Sequence, residues 1–131
     1  MKKLVIGDSY NFNFKFSEND QKLYRELSGD NNYLHFKEFK LKNKKQKPIL
    51  YGLLLSSMYS KAIGNYIPGP GSIIMSANIR YHNYAYTNLE YSLKVNVLHI
   101  SEGLGIIKLF SKITRDDELI SSAEFEVTKA Q

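Results

Sequence analysis

Residues 49–64, ILYGLLLSSMYSKAIG, constrain most strongly what this chain can fold into. Leu50, Leu53, Leu54, Leu55, Met58, Tyr59, Ala62 and Ile63 spread around a helix and do not keep to one stripe. The polar residues among them are mostly serines, whose hydroxyls can bond back to the helix itself. A helix apolar nearly all round has to be buried on most of its sides, so the rest of the chain must wrap it. The C-terminal half is suited to that task. After a proline- and glycine-rich turn, IPGPGS at residues 67–72, the grammar changes to strands at 73–81, 91–100, 104–114 and 119–128. In one of them Tyr91, Leu93, Val95 and Val97 alternate with Ser92, Lys94 and Asn96, the period-2 pattern of a strand with one buried face. The breaks at 101–103 and 115–118 are of hairpin length.

The N-terminal half is shorter in signal. Residues 10–16, YNFNFKF, alternate aromatic with polar and predict a half-buried strand. Ser17 then has the character of a helix N-cap, with Glu18 and Asp20 acid-first behind it. The helix it starts carries Leu23, Tyr24 and Leu27 on one face, and Gly29 ends it. A second short helix is predicted over 33–41, and the lysine-rich stretch up to Pro48 reads as a loop. Strand, helical region, long buried helix and a four-strand meander make an α+β chain: one domain over 1–131, an antiparallel sheet wrapped around one central helix, the hotdog architecture. A single sheet around one helix leaves edges open, so a homodimer is expected.

Composition removes several kinds of chemistry. The 131 residues include no cysteine, which excludes disulfides, thiolate ligands and a cysteine nucleophile. His35, His82 and His99 lie far apart, without metal-ligand spacing, so no metal is expected. The N-terminal MKKLVIGDSY has two lysines but too short an apolar run for a signal peptide. Residues 49–63 are interrupted by Ser56, Ser57, Ser60 and Lys61 and too short to span a bilayer. The expected setting is the cytoplasm, with no membrane partner. The formal net charge is +5, and Lys37, Lys40, Lys42, Lys44, Lys45 and Lys47 concentrate it in one stretch. A solvated loop is the first reading of such a run and attraction of an anionic carrier the second. Nucleic acid ranks last, because no aromatics are interleaved for base stacking.

The chemistry centres on Asp30 and His35. Asp30 follows a helix end, where the macrodipole disfavours a carboxylate. His35 comes five residues later, after Asn31 and Asn32, which suit a tight turn. Held on one short loop, the two could share a water and move a proton. By spacing alone, a turn-forming Asp and a packed His describe the same residues, and more commonly.

The stretch LSGDNNYLH, residues 27–35, resembles the signature of the MaoC-like (R)-specific enoyl-CoA hydratases: Ser28, Gly29, Asp30, Asn32, Leu34 and His35 fit it. Residues 48–72 resemble that family's central helix and the turn after it, so the likeness runs over most of the chain. It implies an enzyme, a hydro-lyase that adds water reversibly to a trans-2-enoyl thioester to give an (R)-3-hydroxyacyl thioester. It implies Asp30 and His35 as the pair that activates the water, and the backbone N–H of Gly52 as the group that binds the thioester oxygen. Asn32 would brace the loop. Ser60 would support the carboxylate, unless its hydroxyl bonds only to its own helix. No cofactor is implied beyond the carrier of the acyl group, either CoA or an acyl carrier protein. The chain departs from the pattern at Tyr33, where the family has proline, and at Tyr51, where it has histidine; both are candidates for the acyl pocket. Tyr84 and Asn88-Leu89 replace a further proline and a Gly-Asp turn. Most of the ten tyrosines are expected to pack helix against sheet. Two other readings stand beside the hydratase: a non-catalytic protein that binds acyl thioesters, and a hotdog thioesterase. The absence of Asp, Glu and His from residues 49–63 weighs against the thioesterase.

Overall fold

The computed structural model describes residues 3–131; the first two residues, including Lys2 of the N-terminal lysine pair, lie outside them. The elements run β1 (Ser9–Lys15), α1 (Glu18–Ser28), a 3₁₀ turn (Tyr33–His35), β2 (Phe39–Leu41), β3 (Lys44–Gln46), α2 (Gly52–Asn65), β4 (Ser72–Tyr81), β5 (Glu90–Ser101), β6 (Ile106–Arg115) and β7 (Glu118–Lys129). Five strands form one antiparallel sheet in the order β1-β5-β6-β7-β4, and β2 pairs with β3 as a separate hairpin. This is the expected α+β hotdog.

The alternation in β5 is realised residue by residue: Tyr91, Leu93, Val95 and Val97 are buried, while Ser92 and Lys94 are exposed. Their side chains, with Leu109, Ile113, Ile120, Phe125 and Val127, form the sheet's half of the core. Helix α2 supplies the other half through Leu55, Tyr59, Ala62 and Ile63. Tyr59 shows how a buried phenol is accommodated. Its ring packs on Phe125 with centroids 5.5 Å apart, and its hydroxyl donates to Ser121 Oγ at 2.8 Å. Ser121 Oγ donates in turn to the Arg80 carbonyl at 2.9 Å, so the chain of polar groups ends on the backbone. Burial pushes the Tyr59 phenol up to about 12, against the smaller opposing effect of the Ser121 hydroxyl.

Four expectations need correction. The predicted helix over 33–41 exists only as the three-residue 3₁₀ turn, and the lysine-rich loop folds into the β2–β3 hairpin. Lys42 and Asn43 take positive φ at its turn, 51° and 64°, which a two-residue hairpin connection requires. Helix α2 is less enclosed than its all-round apolar sequence implies: Leu53 is 67% exposed, and Ser57, Ser60 and Lys61 face outward. On α1 the presumed apolar face is open, with Leu23 and Leu27 exposed, and the buried residue is the polar Gln21. Leu23 and Leu27 instead flank an apolar groove of about 540 Å³ shared with Phe14, Phe16, Leu54 and Met58.

Candidate active site

The segment between α1 and α2 carries Asp30 and His35, and its shape follows from short polar side chains that bond locally. Ser17 and Asp20 close a reciprocal capping box at the start of α1. At its end Gly29 takes φ 74°, a left-handed cap that turns the chain away. The Asp30 N–H donates to Ser28 Oγ at 3.1 Å, and Asp30 Oδ1 accepts the Asn32 N–H at 3.0 Å. The Asn32 carbonyl then accepts the His35 N–H at 3.2 Å, fixing the 3₁₀ turn on which the imidazole sits. Asn32 therefore holds both neighbours of the turn. The Asp30 carboxylate is exposed, with one oxygen committed to the backbone.

His35 is oriented by one contact that also fixes its tautomer. Its Nδ1 lies 2.9 Å from the Ile49 carbonyl. A carbonyl can only accept, so Nδ1 carries a proton and Nε2 is the ring nitrogen left for proton transfer. The ring stacks on Tyr51 at 3.8 Å between centroids and 25° between planes.

Tyr51, only 2% exposed, ties the pair together. Its ring lies between His35 and Tyr24, the latter at 4.8 Å, and its hydroxyl donates to the Asp30 carbonyl. Burial, and then the Asp30 carboxylate, push the phenol above its ordinary range despite the opposing Arg25 charge, so it remains a neutral donor. The expectation of Tyr51 as a pocket residue captures only part of its place. It lines a cleft, and it also links the two loop residues. Tyr33 is exposed.

Beneath this assembly lies a residue that the sequence did not mark. Gln21, 8% exposed, donates from Nε2 to the His35 carbonyl at 3.1 Å and to the Ile49 carbonyl at 2.9 Å. Its Oε1 accepts the Tyr51 N–H at 3.1 Å. One amide thus joins α1, the 3₁₀ turn and the chain entering α2. Nothing in a pattern of apolar periodicity distinguishes this glutamine from a solvent-facing one. A cleft of about 490 Å³ opens here, lined among others by Gln21, Lys22, Arg25, His35, Pro48 and Tyr51.

Gly52 is the first residue of α2, which has no side-chain cap. The first bond of the helix is Leu55 N–H to the Tyr51 carbonyl at 3.0 Å, so the N–H groups of Gly52, Leu53 and Leu54 precede the helical ladder. The Tyr81 ring covers this turn: a Cβ at Gly52 would lie 3.2 Å from its Cε1 and Cζ, which makes glycine the residue that fits. The Tyr81 hydroxyl donates to the Gly52 carbonyl at 3.1 Å and meets Ser56 Oγ at 2.5 Å. Ser60, two turns along, is exposed and forms no hydrogen bond with Asp30. Among the described residues no group of three or more His, Asp or Glu could hold a metal, and no helix is long and apolar enough to cross a membrane.

The sheet, the single long helix and the Asp30–His35 loop at its N-terminal end define a hotdog-fold protein with a hydratase-like loop. No family model matches the chain. It is 27% identical over 111 residues to the (R)-specific enoyl-CoA hydratase of Aeromonas caviae, covering 84% of this chain and 83% of that protein. It is also 27% identical over 126 residues to a mitochondrial 3-hydroxyacyl-[acyl-carrier-protein] dehydratase of Arabidopsis thaliana, covering 95% of this chain and 76% of the relative. In three dimensions it matches the solved (R)-hydratase from A. caviae with a TM-score of 0.88 at 24% identity, over 99% of this chain and 100% of the other. These likenesses establish the hotdog fold and a sequence similarity, over most of the chain, to an (R)-specific enoyl-CoA hydratase and a 3-hydroxyacyl-[acyl-carrier-protein] dehydratase.

Proposed function

We propose that this protein is a hydro-lyase that adds water across the double bond of a trans-2-enoyl thioester, and catalyses the reverse dehydration. The observation that carries the reading is the Nδ1–H of His35 on the Ile49 carbonyl, which leaves Nε2 as the nitrogen open to proton transfer, on the same loop that carries the exposed Asp30 carboxylate. In the forward direction a water held by Asp30 loses its proton to His35 as its oxygen bonds to the β-carbon. The π electrons move onto the thioester oxygen. There the unpaired Gly52 N–H and the positive end of α2 stabilise the developing enolate. The proton that His35 took is then returned to the α-carbon as the enolate collapses, which restores the imidazole and completes the (R)-3-hydroxyacyl thioester. The two curated relatives, a hydratase and a dehydratase by name, support this direction-neutral statement.

The test is loss of enoyl-thioester absorbance with purified protein, offered crotonyl and longer acyl groups on CoA and on a carrier protein. Asp30→Asn and His35→Ala should each lower kcat by about 10²–10⁴-fold, the usual range for removing a positioned acid or base. Wild-type protein inert on every substrate would sink the proposal. A non-catalytic binder would bind these thioesters without turnover and be indifferent to Asp30→Asn.

The working unit we infer is a homodimer. Strand β4 is an edge ten residues long, with Ile73, Ile74 and Met75 exposed, and Leu53 of α2 is exposed as well. A long apolar edge of this kind is rarely left uncovered.

A further inference from the structure

The lysine-rich hairpin has no part in the chemistry above. We propose that β2–β3 is a docking surface for an acidic protein that carries the enoyl group on a flexible thioester arm. This rests on the hydratase reading and names the partner that would deliver the substrate.

Its place in the chain is the first argument. The hairpin lies in the segment that joins His35 to Gly52, so it is tethered at both ends to the site. Pro48, just after it, lines the cleft beside His35 and Tyr51, and Lys47 lies over the Tyr86 ring at 4.1 Å. Two further cations, Lys22 and Arg25 of α1, line the same cleft, where Glu18 is the one acidic residue. An arm entering from the hairpin side would pass along a basic rim toward the imidazole.

The charge is the second. Lys37, Lys40, Lys42, Lys44, Lys45 and Lys47 are all exposed, and Glu38 is the one acidic residue between positions 36 and 51, paired with Lys45 at 3.2 Å. These cations are spread over the whole hairpin: Lys40 and Lys45 stand opposite each other on one face, Lys44 stands opposite Leu41 on the other, and Lys42 sits at the turn, so the charge is distributed over both faces and the tip. The compact phosphates of a free nucleotide call for a converging cradle of donors. A broad, distributed set of exposed lysines suits the extended acidic face of a protein, where rim charges act mainly on encounter. Leu41, 46% exposed among the lysines, offers the apolar contact that such an encounter needs to hold register.

The experiment compares two triple variants of equal charge change. Lys37→Gln/Lys40→Gln/Lys44→Gln removes cations on and beside the hairpin. Lys94→Gln/Lys108→Gln/Lys112→Gln removes exposed cations from the sheet. Binding of a labelled, acidic holo-acyl carrier protein is followed by fluorescence anisotropy at two salt concentrations. The ratio of kcat/KM for the same enoyl group on that carrier and on CoA is measured in parallel. The hairpin variant should weaken carrier binding and lower the ratio by about tenfold, most clearly at low salt, and the sheet variant should do neither. Equal losses in both variants, an unchanged ratio with both substrates impaired, or no binding of the carrier by wild type would each overturn the docking surface. Carrier binding that depends on the hairpin with no turnover on either substrate would leave the surface standing and overturn the hydratase reading.

Discussion

Gln21→Leu is the most informative single change, because it tests whether the geometry at His35 is held from beneath. Leucine has similar volume, so the cavity cost is small and the effect isolates the amide. Three hydrogen bonds disappear, at 3.1, 2.9 and 3.1 Å. The Ile49 carbonyl keeps the His35 Nδ1–H. The His35 carbonyl and the Tyr51 N–H lose the Gln21 amide, and each buried unpaired group costs about 1–3 kcal/mol. The adjoining cleft lets water reach part of the site, which favours the lower half of that range and gives about 2–4 kcal/mol in total. For a chain of this length that is a fall in Tm of roughly 7–15 °C. Activity should fall further than folding explains. With the His35 turn released, kcat should drop about 10–100-fold at a temperature where circular dichroism shows full folding, since small misplacements of a catalytic group are costly. KM should change much less. A variant within 2 °C in Tm and twofold in kcat (roughly the scatter of a well-behaved surface substitution) would refute the reasoning.

Gly52→Ala should lower kcat/KM and stability together, because its Cβ meets the Tyr81 ring at 3.2 Å. In a Tyr81→Ala background, which has already lost the bonds to Gly52 and Ser56, adding Gly52→Ala should lower Tm by less than it does in the wild type while still lowering activity, as thermal melts and steady-state rates on the four proteins will reveal. Tyr59 provides a pH prediction: its folded value is about 12 against an ordinary 10.0, so burial of the neutral phenol stabilises the fold fully below about pH 10. That contribution is lost as pH rises toward 12, and in an absorbance titration at 295 nm the last phenol should ionise with the loss of near-UV dichroism. Ile73→Lys with Met75→Lys should shift sedimentation to the monomer; an unchanged dimer would place the interface elsewhere.

The sequence by itself determined the elements whose information is local or periodic. The alternation along β5, the Ser17 cap and the Gly29 stop are read from neighbours in the chain, and the structure holds each as expected. The signature at residues 27–35 was legible too, because a turn built from Ser28, Asp30 and Asn32 depends on bonds spanning two or three residues. What tertiary structure alone decided lies in long-range contacts. Gln21 reaches Ile49 and Tyr51 across 28 and 30 positions, and Tyr81 covers Gly52 from 29 away. A polar side chain on a helix carries no mark of whether water or a buried carbonyl will answer it. Likewise an apolar helix declares that it will be covered, but not how much of the covering its own chain supplies: Leu53 stands exposed. Hydrophobic burial is non-directional and counts area wherever it comes from, whereas the geometry of Asp30, His35 and Tyr51 exists only once α1 and α2 are packed together.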